Sequence, residues 1–138
     1  MASLKVWISA SRIRTLPLSI SGALVGSSYA YYLGFFDMVI FTLVLLTTLS
    51  FQILSNFAND YGDGIKGTDN YSRIGPLRAL QSGAVSPKQM RLAIFVNTII
   101  SSTLSVLLIW KAFGIDYLLN SLIFILLGGL SIYAAISY

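Results

Sequence analysis

The segment Asn56-Phe-Ala-Asn-Asp-Tyr-Gly-Asp-Gly-Ile-Lys-Gly-Thr-Asp69 gathers the side chains best suited to chemistry in this sequence. It holds Asp60, Asp63 and Asp69, and the only other acids are Asp37 and Asp116. Glutamate, histidine and cysteine are absent, which removes zinc sites, thiol nucleophiles and imidazole bases. Asn59 and Asp63 are spaced as one helical turn. Gly62, Gly64 and Gly67 are expected to loosen the helix beyond them, so that Asp69 folds back. Oxygen donors of this kind suit a hard cation. Magnesium is usually held by one or two carboxylates together with substrate phosphates and water, so a sparse cluster of Asn59, Asp63 and Asp69 would be completed by a phosphate.

Bases follow the acids. Lys66 lies inside the cluster, and Arg73 and Arg78 belong to Arg73-Ile-Gly-Pro-Leu-Arg-Ala-Leu-Gln-Ser-Gly83. Guanidinium forks match phosphate oxygens bidentately, so metal-holding acids followed by Lys66, Arg73 and Arg78 read as a diphosphate site. Lys88 and Arg91 read instead as anchors to anionic lipid headgroups. Upstream, Gln52, Asn56, Asn59 or Asp60, and Asp63 recur at steps of three or four, a polar stripe along one helix face. Polar groups near membrane depth need protein or a watery chamber around them, which makes Gln52 and Asn56 candidate cavity-lining residues. For Gln52 taken alone, a helix end reaching water explains the residue equally well.

Three pattern matches carry nothing. Gly62-Asp-Gly-Ile-Lys-Gly67 fits a dinucleotide-binding expression, but it follows an apolar helix and no βαβ unit surrounds it. Asp60-Tyr-Gly-Asp-Gly64 begins like the motif of CDP-alcohol phosphotransferases, yet Gly67 and Thr68 stand where its Ala-Arg pair belongs. Asn70-Tyr-Ser72 is a glycosylation sequon on the side predicted to face the cytoplasm.

The elements that must position these residues are membrane helices. Of 138 residues, 56% are hydrophobic and 10% charged, with a mean hydropathy of +0.79, a balance that only a bilayer accommodates at this size. Four stretches approach the roughly 20 apolar residues that cross a hydrocarbon core: about 16–36, 38–57, 92–110 and 117–138, with a catalytic loop at about 58–91. The first is too long for the apolar region of a signal peptide and reads as a retained span. Lys5, Arg12 and Arg14 precede it, and Lys66, Arg73, Arg78, Lys88 and Arg91 lie in the long loop, whereas Lys111 alone falls in an opposite connection. The positive-inside rule therefore puts the N-terminus and the long loop in the cytoplasm. The net charge of +4 is spent on orientation, and nucleic acid is not an expected partner. Gly22 and Gly26 form a small-xxx-small pair suited to helix packing. The fourth stretch reaches Tyr138 without a polar flank, so a longer protein is expected.

These residues resemble the UbiA-type intramembrane prenyltransferases, whose first acidic motif is written Asn-Asp-x-x-Asp-x-x-x-Asp. Here Asn59-Asp60-x-x-Asp63 is followed by Asp69, two places later than the general form. That shift resembles the family's naphthoate branch, as do Arg73-Ile-Gly-Pro-Leu-Arg78, Arg14-Thr-Leu-Pro-Leu18 and Gly128-Gly-Leu-Ser-Ile-Tyr-Ala-Ala135. The resemblance implies an all-α integral membrane protein, four transmembrane helices being the first part of a bundle of about nine. It implies magnesium on Asn59, Asp63 and Asp69 with Asp60 in support, and a polyprenyl diphosphate held by Lys66, Arg73 and Arg78. It further implies transfer to 1,4-dihydroxy-2-naphthoate with decarboxylation, as a step in menaquinone synthesis at the bacterial inner membrane. A transporter or ion pathway is the rival class, although its sites usually lie near the midplane; a CDP-alcohol-type phosphotransferase is the rival enzyme.

Overall fold

The computed structural model describes residues 3–67 and 77–137. It is helical throughout, with no strand among the described residues. A short helix α1 (Leu4–Ala10) ends at Ser11, and Arg12 adopts a left-handed φ of 51°. That turn reverses the chain into a single 3₁₀ turn, Ile13–Thr15, and then α2 (Leu16–Tyr32), whose first turn carries Pro17. Asp37 caps α3 (Met38–Lys66) by accepting from Val39 N at 2.7 Å and Ile40 N at 3.0 Å. Gly67, at φ 70°, closes α3 with the left-handed conformation that glycine alone adopts freely. Ser86 and Gln89 form a reciprocal capping box at the start of α4 (Pro87–Phe113), and α5 (Leu118–Ser137) follows a short connection.

Among the described residues three helices, α3, α4 and α5, are long and apolar enough to cross a membrane. The stretch expected as a first span is a helix of 17 residues, about 26 Å long and short of a typical hydrocarbon core. Two boundaries differ from expectation for one reason. The chain remains helical past residue 57 to Lys66, and α4 begins at Pro87, so the expected loop 58–91 is helical at both ends. Gly62 and Gly64 do not loosen the helix, because neighbouring segments pack against that end and satisfy its polar groups. Only Gly67 breaks it.

The core lies at that same end. Ala10, Phe57, Ala79, Val85 and Met90 are buried together, with Trp7 set edge-on against Phe57 at 5.6 Å. Elsewhere the helices touch along narrow seams and turn Leu, Ile, Val and Phe outward, as expected where lipid replaces water. One seam is polar. Asn97 Nδ2 donates to the Ser50 carbonyl at 3.0 Å, Ser50 Oγ donates to Asn97 Oδ1 at 3.1 Å, and Ser50 and Ser101 hydroxyls lie 2.7 Å apart. This knot fastens α3 to α4. At the opposite end, Lys111 Nζ reaches Asp37 at 3.0 Å.

Removing the knot with Asn97→Leu is expected to lower unfolding stability in detergent by about 1 kcal/mol. Ser105→Ala, whose hydroxyl bonds only to its own helix at Ser101 O, should change little. Asp37 is held below the ordinary carboxylate range, first by the Ile40 amide and then by Lys111. Its contribution is therefore complete above that range and lost as pH falls through the lowered value. Thermal unfolding should show wild type above Asp37→Ala at neutral pH, with the gap closing below pH about 3.9.

Candidate functional site

The last three turns of α3 carry Asn56, Asn59, Asp60 and Asp63, and the segment returning toward α4 lies across them. Arg78 Nη1 pairs with Asp63 Oδ2 and donates to the Asn59 carbonyl at 3.4 Å. Leu80 N donates to Asp60 Oδ1 at 3.4 Å, and the Asp60 side chain is almost fully buried. Gly64 makes this approach possible. A Cβ there would collide with Leu80 Cδ2 and crowd its Cγ at 3.0 Å.

Asn56 fastens a second segment to the same helix. Its Nδ2 donates to the Ser11 carbonyl at 2.8 Å and to Thr15 Oγ1 at 3.4 Å, while its Oδ1 accepts from Gln52 Nε2 at 3.3 Å. Gln52 in turn accepts from Ser19. The polar stripe is thus spent partly on anchoring the N-terminal turn and the start of α2.

Two cavities open on either side of α3. The first, about 730 Å³, lies among α2, α3 and α5 and is lined by Ser19, Thr47, Gln52, Ser55, Asn59 and Ser131. Its lining is neutral, and the buried Thr47 hydroxyl has no hydrogen-bond partner among the described residues. The second, about 660 Å³, lies under the N-terminal turn and is lined by Arg12, Arg14, Thr15, Asp60, Leu77 and Arg78. Three guanidinium-bearing residues beside one carboxylate give it a basic lining.

The structure thus brings Asn59, Asp60, Asp63 and Arg78 together and links Gln52 to Asn56. It points the first two apart: Asn59 lines the neutral cavity and Asp60 the basic one. Lys66 lines a third cavity, on the α4 side, with Arg91. Asp69 and Arg73 lie outside the described residues. Among the described residues no three acidic, histidine or cysteine side chains form a metal cluster. Arg12 and Arg14 were missed as site residues. Their position before the first span reads as an orientation signal, and only the left-handed turn at Arg12 brings them beneath α3.

The UbiA prenyltransferase family matches residues 19–138. A 1,4-dihydroxy-2-naphthoate octaprenyltransferase of Escherichia coli strain K12 is 40% identical over 134 residues, covering 97% of this chain and 43% of that protein. The protein of the same name from Haemophilus influenzae is 41% identical over 137 residues, covering 98% and 44%. That from Mycobacterium tuberculosis is 38% identical over 90 residues, covering 65% and 30%. The chain therefore spans less than half the length of these relatives. No solved structure matches it.

Gly64→Ala is expected to push Leu80 off α3 and to destabilise the protein by about 1–3 kcal/mol. Gly62→Ala, where nothing lies within 4 Å of the added carbon, should be neutral or slightly stabilising in the same unfolding measurement.

Proposed function

The chain belongs to the UbiA prenyltransferase family, and from that premise we propose that the whole protein transfers a polyprenyl group from an allylic diphosphate to 1,4-dihydroxy-2-naphthoate. Diphosphate and carbon dioxide would leave and the ring would remain a hydroquinone, giving the prenylated demethylmenaquinol. The observation that carries this reading is the meeting of Asn59, Asp63 and Arg78 at the end of a membrane helix, beside a cavity among helices. The names borne by the similar proteins support the acceptor.

The donor set fits magnesium. Asn59 and Asp63 offer hard oxygens one turn apart on a helix, with no histidine or cysteine in the chain to compete. Asp69 would complete the set. A magnesium ion held there supplies charge neutralisation for the departing diphosphate.

The chain's own residues do the rest. Arg78 holds the Asp63 carboxylate in place and presents guanidinium N–H groups where phosphate oxygens would arrive, an interaction that strengthens as the leaving group gains charge. Arg73 is a further phosphate contact in this reading, whereas Lys66, expected beside it, lines the cavity on the α4 side. Asp60, bonded to the Leu80 amide, is a positioning residue: it keeps the segment that bears Arg78 seated on α3. The neutral cavity below Asn59 gives the polyprenyl chain and the aromatic ring a space shielded from bulk water. In this proposal α2 is the first span, the protein lies in the bacterial inner membrane with its N-terminus and catalytic loop cytoplasmic, and further helices complete the bundle.

Full-length protein carrying Asp63→Asn is expected to insert normally and to lose magnesium-dependent prenyl transfer by about a hundredfold or more. Radiolabelled prenyl diphosphate and naphthoate in membrane vesicles provide the assay. Transfer that survives both this substitution and chelation of divalent cations would overturn the reading.

A further inference from the structure

A smaller cleft, about 280 Å³, lies among α3, α4 and α5, with Leu108, Phe124, Leu127 and Gly128 in its lining. Phe51 and Ser131 line both this cleft and the neutral cavity that reaches Asn59, so the two spaces meet at that pair. Phe51 precedes Asn59 by about 12 Å along α3. The α4 part of the cleft belongs to the turns that lead to Lys111, at the end opposite the acids. Its hydroxyls are already engaged: Ser105 Oγ donates to the Ser101 carbonyl and Ser131 Oγ to the Leu127 carbonyl, each at 2.8 Å within its own helix. The remaining lining is hydrocarbon, and a Cβ added at Gly128 would meet nothing within 4 Å.

We infer that this cleft takes the distal isoprene units of the allylic donor, and that the neck at Phe51 and the bare backbone at Gly128 decide how long a prenyl chain the site favours. The inference rests on the proposed prenyl transfer, because that reading fixes the diphosphate at Asn59 and Asp63. From there the chain enters the neutral cavity, and the distance to Phe51 equals about two to three extended isoprene units. Units beyond those arrive at the neck. Continuity selects the cleft as their destination: it shares Phe51 and Ser131 with the neutral cavity, whereas the basic cavity and the one at Lys66 share no lining residue with it. A hydrocarbon tail suits a lining whose polar groups are bonded within their own helices, because no donor or acceptor is left stranded against it. Glycine weakens a helix interior, but at 128 it leaves the cleft open.

Full-length protein in membrane vesicles, assayed for transfer to 1,4-dihydroxy-2-naphthoate from geranyl and from geranylgeranyl diphosphate, separates the near part of the chain from the far part. Gly128→Leu fills the cleft and is expected to raise KM for geranylgeranyl diphosphate about tenfold, because burial of the distal units is lost, while KM for geranyl diphosphate stays within about twofold. Gly129→Leu, outside the cleft's lining and equally free of close neighbours, should change neither. A geranylgeranyl diphosphate analogue with a diazirine on its terminal unit should label the wild-type peptides that hold Leu108 or Leu127, and excess unlabelled donor should suppress the labelling. That measurement needs no turnover and stands even if Gly128→Leu does not fold. Equal changes in KM for both donors, no change for either, labelling that avoids α4 and α5, or labelling suppressed by added phospholipid and not by donor would each overturn the inference. Wild-type protein that transfers from neither donor would overturn the prenyl-transfer reading and the inference with it, whereas transfer without labelling of the cleft overturns the inference alone.

Discussion

A carboxylate on a membrane helix costs several kcal/mol unless other groups satisfy it, and the last turns of α3 carry Asp60 and Asp63 together with Asn56 and Asn59. The rest of the described structure is arranged around that demand. Arg78 answers Asp63, the amide of Leu80 answers Asp60, and Asn56 reaches back to Ser11 and Thr15. Each answer also draws a separate stretch of chain against the same helix end. The core formed by Ala10, Phe57, Ala79, Val85 and Met90 is where those stretches meet.

This arrangement explains why burial is so uneven. Along the spans, α3 is joined to α4 by the Ser50, Asn97 and Ser101 knot, and most other large side chains face outward. Hydrophobic association gains little between helices already in hydrocarbon, so small and polar contacts decide their pairing. At the end of α3 that carries the acids, ordinary apolar burial around Phe57 and Met90 takes over. The candidate site stands at the boundary between the two regimes. Charged groups there stand directly beside a neutral cavity among the helices.

α3 also separates three different environments. Asn59 looks into a neutral hydroxyl-lined cavity, Asp60 into an arginine-rich one, and Lys66 into an apolar cleft topped by a second cation. A helix turns about 100° per residue, so neighbouring positions in a short acidic motif can serve chemically distinct spaces. The motif thus divides the space around the helix end.

Composition and long apolar runs alone determined the membrane setting and the all-helical class, and the motifs around Asn59 and Asp63 carried the resemblance to the family. Each is a property of local pattern: a long apolar run has few other solutions, and an acid cluster at its end has few uses. The tertiary structure decided what spacing cannot carry. It kept Gly62 and Gly64 helical, because packing by Leu80 and pairing by Arg78 outweigh the propensity of glycine to break a helix. It brought Arg12 and Arg14 under α3 through a left-handed turn that no residue type announces. It sent Lys66 to the α4 side, away from Arg78, because direction around a helix axis acquires meaning only once neighbouring helices define what lies on each side.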